Sequence, residues 1–414
     1  MDPRSADHHL GTFCSRFLIN ALLAVSCLYT LDPVTFKDPQ DSKSRGRRWA
    51  DEAEAHLESI DRPSIPLLQG LYALFAYEGN IGNGTKPVAY FMRCIDVYKA
   101  LNDPVTLETH HKCVDETRLE RMKQATSWCL WGFYCVEWRS SQAFGFRKLT
   151  RKPRLGRVRR EPDFPLSPPD CIGYWWFPYP MSLQIQRAMQ VEVRDADVKL
   201  SEIVEEALDF LYLEPGQHPP HTNPQRALEL YDAFFDWKLS CPSRIRFEEA
   251  VLPSAILLHI GVEVMFTAIL CPFSHMTKEQ FGRYNPRELC NAHAGSLMSA
   301  VWTFRTFAQI RFKYYLCHPL GTAAYIVLQE AQNTPIQMDI LIRAYQCLHE
   351  MSISLPLATD VLGGIRAAFK RKDGLMHHAM TALLPSSNEA GGNDIRAEMQ
   401  LQELLDESDA ISID

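Results

Sequence analysis

The residues best placed for chemistry lie in one apolar stretch, Leu252 to Phe273, which reads LPSAILLHIGVEVMFTAILCPF. Its few polar groups, His259, Glu263 and Thr267, recur at intervals of four and share one narrow stripe of an α-helix. At that spacing an imidazole and a carboxylate meet and can form an acid–base pair. Inside an apolar helix two such groups are expected to satisfy each other rather than to act on a substrate. A second candidate is His110-His111-Lys112-Cys113, which has metal-ligand residue types. It lacks a second pair at zinc spacing, and a solvated turn is the expected role. Gly79, Gly82 and Gly84 do not follow a strand, so they read as a turn rather than a phosphate cradle. The sequence has no H-E-x-x-H, no G-x-x-x-x-G-K-[ST] and no G-x-S-x-G. An enzyme is not expected.

One run carries strong charge. Phe146 to Arg160, FRKLTRKPRLGRVRR, holds eight basic residues and no acid: Arg147, Lys148, Arg151, Lys152, Arg154, Arg157, Arg159 and Arg160. It reads as a solvated loop, a nuclear-import signal or a phosphate-contacting arm. Pro153 and Gly156 exclude a continuous recognition helix, and no aromatic residues interleave the charges to stack on bases.

The elements around these candidates read as helices throughout. The central stretch is apolar on nearly its whole circumference, between Pro253 and Pro272, as in a helix buried on most sides. It is long enough to span a membrane, but His259 and Glu263 at its centre argue for a protein core. Phe17 to Leu31 has the apolarity of a secretory signal, yet Asp2, Asp7, His8 and His9 precede it where basic residues belong. A core helix is expected instead. Helical periods follow from Trp49 to Ile60, Leu67 to Tyr77 (capped by Ser64), Val88 to Leu101 and Glu116 to Trp138. Ser42 to Arg48 reads as a polar, basic linker, and Gln69 as a polar residue bonding a neighbouring backbone within an apolar helix.

Trp128, Trp131, Phe133, Tyr134 and Trp138 lie on the last of these helices and are expected in the core rather than around an effector pocket. Glu161 to Pro180 has six prolines and is the clearest internal boundary. Its Trp175, Trp176, Phe177 and Tyr179 suggest a loop laid on the core. Further helices are read over Asp195 to Leu213, Gln225 to Leu239, Asn285 to Phe312, His318 to Leu328, Met338 to Met351 and Thr359 to Phe369. No run with strand periodicity emerges.

Charge and cysteines bound the class. The net charge of −7 resides in Asn388 to Asp414, where eight carboxylates accompany one arginine; the preceding body is neutral. Bulk charge therefore gives no argument for nucleic acid. The twelve cysteines are scattered singly, with no C-x-x-C, a pattern of reduced intracellular thiols. The tail interleaves acids with Ile, Leu and Met, which reads as either a solvated disordered segment or an acidic activation segment.

Several segments, in order, resemble the fungal-specific transcription factor domain, the regulatory region of fungal zinc-cluster regulators. Leu18, Asn20, Ala21, Leu22, Leu23 and Ala24 match its opening helix. Pro63-Ser64-Ile65-Pro66-Leu67-Leu68-Gln69 is similar to its P-S-I-x-x-L-Q segment. A Trp-rich helix follows, with Ser140, Ser141, Gly145 and Arg147 at its end. Trp237 and Pro242 match next. Then come Leu252, Pro253, Leu258, His259, Pro272 and Phe273, and Cys290 and Ala294 in C-x-x-x-A. The pattern departs at Ile260 (for Met), at Val262 and Glu263 (for Tyr-His) and at Cys271 (for Arg). Lys86-Pro87-Val88 and Leu101-Asn102-Asp103 also stand where the family differs.

The resemblance implies an all-α regulatory domain over residues 12–385; the prolines place an internal boundary near 161–180, and composition gives a flexible acidic tail at 386–414. It implies a nuclear regulator of RNA polymerase II transcription, with co-regulators or the transcription machinery as partners, a homodimer as one assembly and no membrane. In that family a separate six-cysteine module holds two zinc ions and reads DNA. That spacing is absent here, so zinc, and DNA through it, are expected only with such a module. The alternative is a stand-alone helical interaction or small-effector-binding protein without DNA binding.

Overall fold

The computed structural model describes residues 13–30, 32–82, 84–103, 116–158, 175–176, 184–212, 223–250, 252–328 and 334–371. These residues form thirteen α-helices and one pair of two-residue strands, an all-α protein. His110 to Cys113 and the tail at 386–414 lie outside them, as does most of the Pro-rich boundary. The chain divides into two units. The first comprises residues up to Glu137 with Leu149–Arg160 and Ser354–Leu357; the second comprises the remainder.

In the first unit, α1 (Arg16–Cys27) packs on α2 (Arg47–Leu57) and α3 (Ile65–Asn80), and α3 packs on α4 (Lys86–Leu101). Local chemistry sets the helix starts. Ser15 and Ser64 accept hydrogen bonds from the backbone N–H groups of Leu18 and Leu67, so each satisfies a donor that the first turn leaves unpaired. Phe17, Leu18, Ala21 and Ala24 bury one face of α1, as expected of a core helix. Gln69 is exposed on α3 rather than bonded within the core. The apolar residues around it, Leu67, Leu68 and Leu71, take the inward face.

The basic stretch at 42–48 is not a solvated linker. Arg45 is 4% exposed, and its guanidinium donates to the carbonyls of Thr30 and Ser354. Tyr77 donates back to the Arg45 carbonyl at 2.8 Å, and Arg47 forks onto the buried Glu78 at 2.7 and 3.1 Å. Between them Gly46 has φ +75°, in the left-handed region. Arg45 and Arg47 serve here as hydrogen-bond donors with fixed partners, while Lys43 and Arg48 are exposed.

Helix α5 (Glu116–Ala143) supplies residues to both units. Its Trp131, Phe133, Tyr134 and Trp138 are buried, as expected of core aromatics, while Trp128 is half-exposed at 39%.

The second unit continues with β1 (Trp175–Trp176) and β2 (Gln186–Arg187), paired antiparallel. Trp176 meets Phe307 edge-on at 6.2 Å, so this part of the boundary does lie on the core. Then follow α6 (Gln190–Leu211), α7 (Pro224–Ser240), α8 (Pro253–Leu270), the short α9 (Lys278–Phe281), α10 (Pro286–Arg305), α11 (Cys317–Leu328), α12 (Pro335–Ser352) and α13 (Pro356–Arg371). Helix α8 is the centre of this unit. It packs most extensively on α10 and also touches α6, α7 and α11. Pro253–Phe273 is apolar enough to cross a membrane, but 78% of that span is buried within the protein itself. Gly261 lets α8 approach α5 closely, because a Cβ there would stand 2.8 Å from the Trp138 ring.

Asn285 caps α10 by accepting from the backbone of Arg287 and Glu288, with Pro286 in the first turn, as its sequence predicts. The helix ends at Arg305, short of the expected Phe312. Ala308 adopts φ +56° and turns the chain so that Phe307, Ile310 and Leu316 are all buried.

Candidate functional site

The i, i+4 pair of α8 does not form. His259 instead bonds through Nε2 to the carbonyl of Ile245 at 2.7 Å, fourteen residues away in sequence. A carbonyl only accepts, so Nε2 carries the proton and Nδ1 is bare in the neutral ring. Burial holds the imidazole below its usual pKa, against the opposing Ile245 bond, which keeps it neutral at pH 7. Nδ1 has no hydrogen-bond partner. A buried acceptor left unpaired costs about 1–3 kcal/mol.

Glu263, 3% exposed, is claimed by two other helices. Oε1 accepts from Lys238 Nζ of α7 at 2.5 Å, and Oε2 meets His293 Nδ1 of α10 at 2.7 Å. His293 Nε2 lies 3.3 Å from the Tyr231 hydroxyl, and its ring stacks on Phe266 at 4.2 Å. Burial pushes the Glu263 carboxyl up, but the His293 hydrogen bond and the Lys238 ammonium together outweigh it and hold it below the usual carboxylate range. Burial also pushes Tyr231 up to about 12, so its hydroxyl stays protonated.

Lys238, His293 and Tyr231 were not singled out in the sequence. His293 did leave a trace, since Cys290, Ala294 and Leu297 mark the buried side of α10 and His293 falls among them.

A groove of about 430 Å³ opens beside this cluster. Lys238, Phe247, Glu248, His259 and Glu263 line it, and Ser296 and Ser299 of α10 sit at its exposed rim. Its volume falls within the ~300–1,000 Å³ of small-molecule sites. Among the described residues no group of three His, Cys, Asp or Glu is placed to hold a metal.

The basic run lies elsewhere, in the first unit from Leu149 onward. Arg159 and Arg160 fall outside the described residues. Lys148 is buried at 1%, Arg147 and Arg157 are half-buried, and Arg151, Lys152 and Arg154 are exposed. The segment is a strap tied down along its backbone. The indole N–H groups of Trp128 and Trp131 donate to the carbonyls of Val158 and Leu155 at 3.0 and 2.9 Å. Ser127 Oγ donates to the Gly156 carbonyl and accepts from Val158 N–H, both at 3.0 Å. Tyr98 donates to the Arg151 carbonyl, and Asn102 accepts from Arg154 N–H. Buried Glu137 accepts from Leu149 N–H and the Thr150 hydroxyl at 3.0 and 2.9 Å. The three exposed cations are thereby presented along a fixed path.

Substituting Ser127→Ala removes two of these ties and is expected to loosen the strap by about 1–2 kcal/mol. Tryptic cleavage after Arg154 and Arg157 should then speed up about tenfold, while cleavage elsewhere is unchanged.

The described residues thus form a helical body with a groove beside Glu263 and a basic strap. No protein-family model matches the chain, and no solved structure matches it. Two fungal transcription factors are similar along most of it. Nitrogen assimilation transcription factor nit-4 of Neurospora crassa is 24% identical over 380 residues, covering 87% of this chain and 33% of that protein. Nitrogen assimilation transcription factor nirA of Emericella nidulans is 22% identical over 363 residues, covering 83% of this chain and 39% of that protein. The chain thus spans between a third and two fifths of the length of these distant relatives. They are transcription factors and not enzymes.

Proposed function

We propose that this chain is the regulatory region of a fungal transcription factor that controls RNA polymerase II genes in the nucleus. The observation that carries this reading is the similarity to two transcription factors over 380 and 363 residues, 87% and 83% of this chain. The all-helical fold is what the fungal-specific domain resemblance implies. In this reading DNA is read by a zinc module outside these 414 residues, and zinc is held there. Co-regulators or the transcription machinery are the partners of the helical body and the acidic tail. Nothing in the chemistry of the groove calls for turnover.

The test tethers the 414-residue chain to an unrelated bacterial DNA-binding domain upstream of a reporter in a fungal host. Expression should change several-fold in either direction. Deleting 386–414 should remove the greater part of an activating effect, because acid interleaved with apolar residues is what co-activator surfaces bind. A reporter that stays at the level of the bare DNA-binding domain, with the fusion folded and nuclear, would sink the proposal.

A further inference from the structure

We infer that the groove beside Glu263 is a binding site for a small neutral or cationic molecule that offers N–H groups, an amide or an amine, with His259 Nδ1 as its buried acceptor. This stands on the second unit alone and does not depend on the transcriptional reading.

Three observations meet there. First, His259 is 2% exposed, forms part of the groove wall, and has one nitrogen without a partner. The bond from Nε2 to the Ile245 carbonyl fixes that nitrogen as an acceptor, so it calls for a donor. Second, the charged groups lining the groove are Lys238, Glu248 and Glu263. Lys238 and Glu263 compensate each other at 2.5 Å, which leaves Glu248 and one negative charge at the rim. An anion is repelled there, and a neutral or positive ligand is admitted. Third, Glu263 is held by two donors and still has lone pairs to offer, and Ser296 and Ser299 can donate or accept. The site therefore has spare acceptors and one committed cation.

Apolar contact comes from Phe247, whose ring meets the imidazole edge-on at 6.0 Å. Nδ1 is closed to water, so a donor reaches it only when a side chain packed on the imidazole, Phe247 or Trp237, moves.

Benzamide and benzoate test this, since they share a shape and differ in donor and charge. Each is titrated into the intact chain carrying ¹⁵N-labelled histidine, and the imidazole resonances are followed. Benzamide should move the bare Nδ1 signal of His259 toward that of a hydrogen-bonded nitrogen, and benzoate should bind about tenfold more weakly or not at all. Ser296→Trp, a change at the exposed rim, should abolish the benzamide shift without altering the unfolding transition. Benzoate binding as tightly as benzamide would overturn the inference in favour of an anion site on Lys238. An unmoved His259 signal at saturating benzamide, or a shift that survives Ser296→Trp, would overturn the groove as the site.

Discussion

Glu263→Ala is expected to lower the unfolding free energy by about 3 kcal/mol, measured as a shift of the urea midpoint. Breaking a buried ion pair on one side ordinarily costs about 3–5 kcal/mol, because the partner is left charged in a poor solvent. Here the partners are Lys238, 27% exposed, and His293, 12% exposed. Lys238 can reach water along its stem, which keeps the cost at the low end. Pairing Glu263→Met with Lys238→Met should recover part of the loss, since it removes the orphaned ammonium but still leaves the His293 Nδ1 without its acceptor.

The acid limb gives an independent check. The Glu263 carboxyl is held below its ordinary value in the folded chain, so its contribution is complete at neutral pH. That contribution fades as pH falls below the ordinary carboxylate pKa of about 4.3 and is gone beneath the folded value. Wild-type stability should therefore fall more steeply with acid than that of Glu263→Ala. Parallel acid limbs would show that the carboxylate is not held by its partners.

Gly46→Ala should cost a comparable amount, about 3 kcal/mol or more, seen as a lowered melting temperature. Two penalties add. The left-handed backbone at φ +75° costs a non-glycine residue about 1 kcal/mol. The new Cβ would also stand 2.6 Å from the Ala24 carbonyl oxygen and 2.9 Å from the Tyr77 ring. Backbone cannot rotate away as a side chain can, so the junction of α1, α2 and α3 must shift. Gly132→Ala is the counterpart. It lies on an exposed position of α5 with nothing within 4 Å of an added Cβ, and it should stabilise by about 1 kcal/mol. Equal effects of the two substitutions would contradict the packing around Gly46.

These residues also mark how far the sequence could be read. Helix starts were legible because their chemistry is local: Ser64 and Asn285 act within three residues of themselves. The central helix was legible because nearly every position on it is apolar. The bonding of Glu263 was not, since its partners lie 25 and 30 residues away on other helices. An i, i+4 neighbour was the only partner that sequence spacing could suggest for His259. Arg45 misled for the same reason. Its burial depends on the carbonyl of Ser354, 309 residues further on, and composition alone gave only a polar, basic linker. The strap kept its charge pattern in plain view but hid its anchors, because Trp128, Trp131 and Glu137 bind it through main-chain atoms that every residue type possesses.

That last arrangement separates two kinds of inheritance. Seven of the hydrogen bonds described on the strap end on a main-chain N–H or C=O, and an eighth ends on the Thr150 hydroxyl. Much of its path is thus encoded in α4 and α5 rather than in its own side chains. Exposed side chains such as Arg154 can therefore change while these main-chain ties persist, whereas buried Pro153 and Lys152, which lies over the Trp131 ring, are held by contacts of their own. Ser127, Trp128, Trp131 and Glu137 have no such freedom. In an alignment, charge changes on the strap beside an unchanged Ser127, Trp128, Trp131 and Glu137 would alter the surface it presents without moving its course.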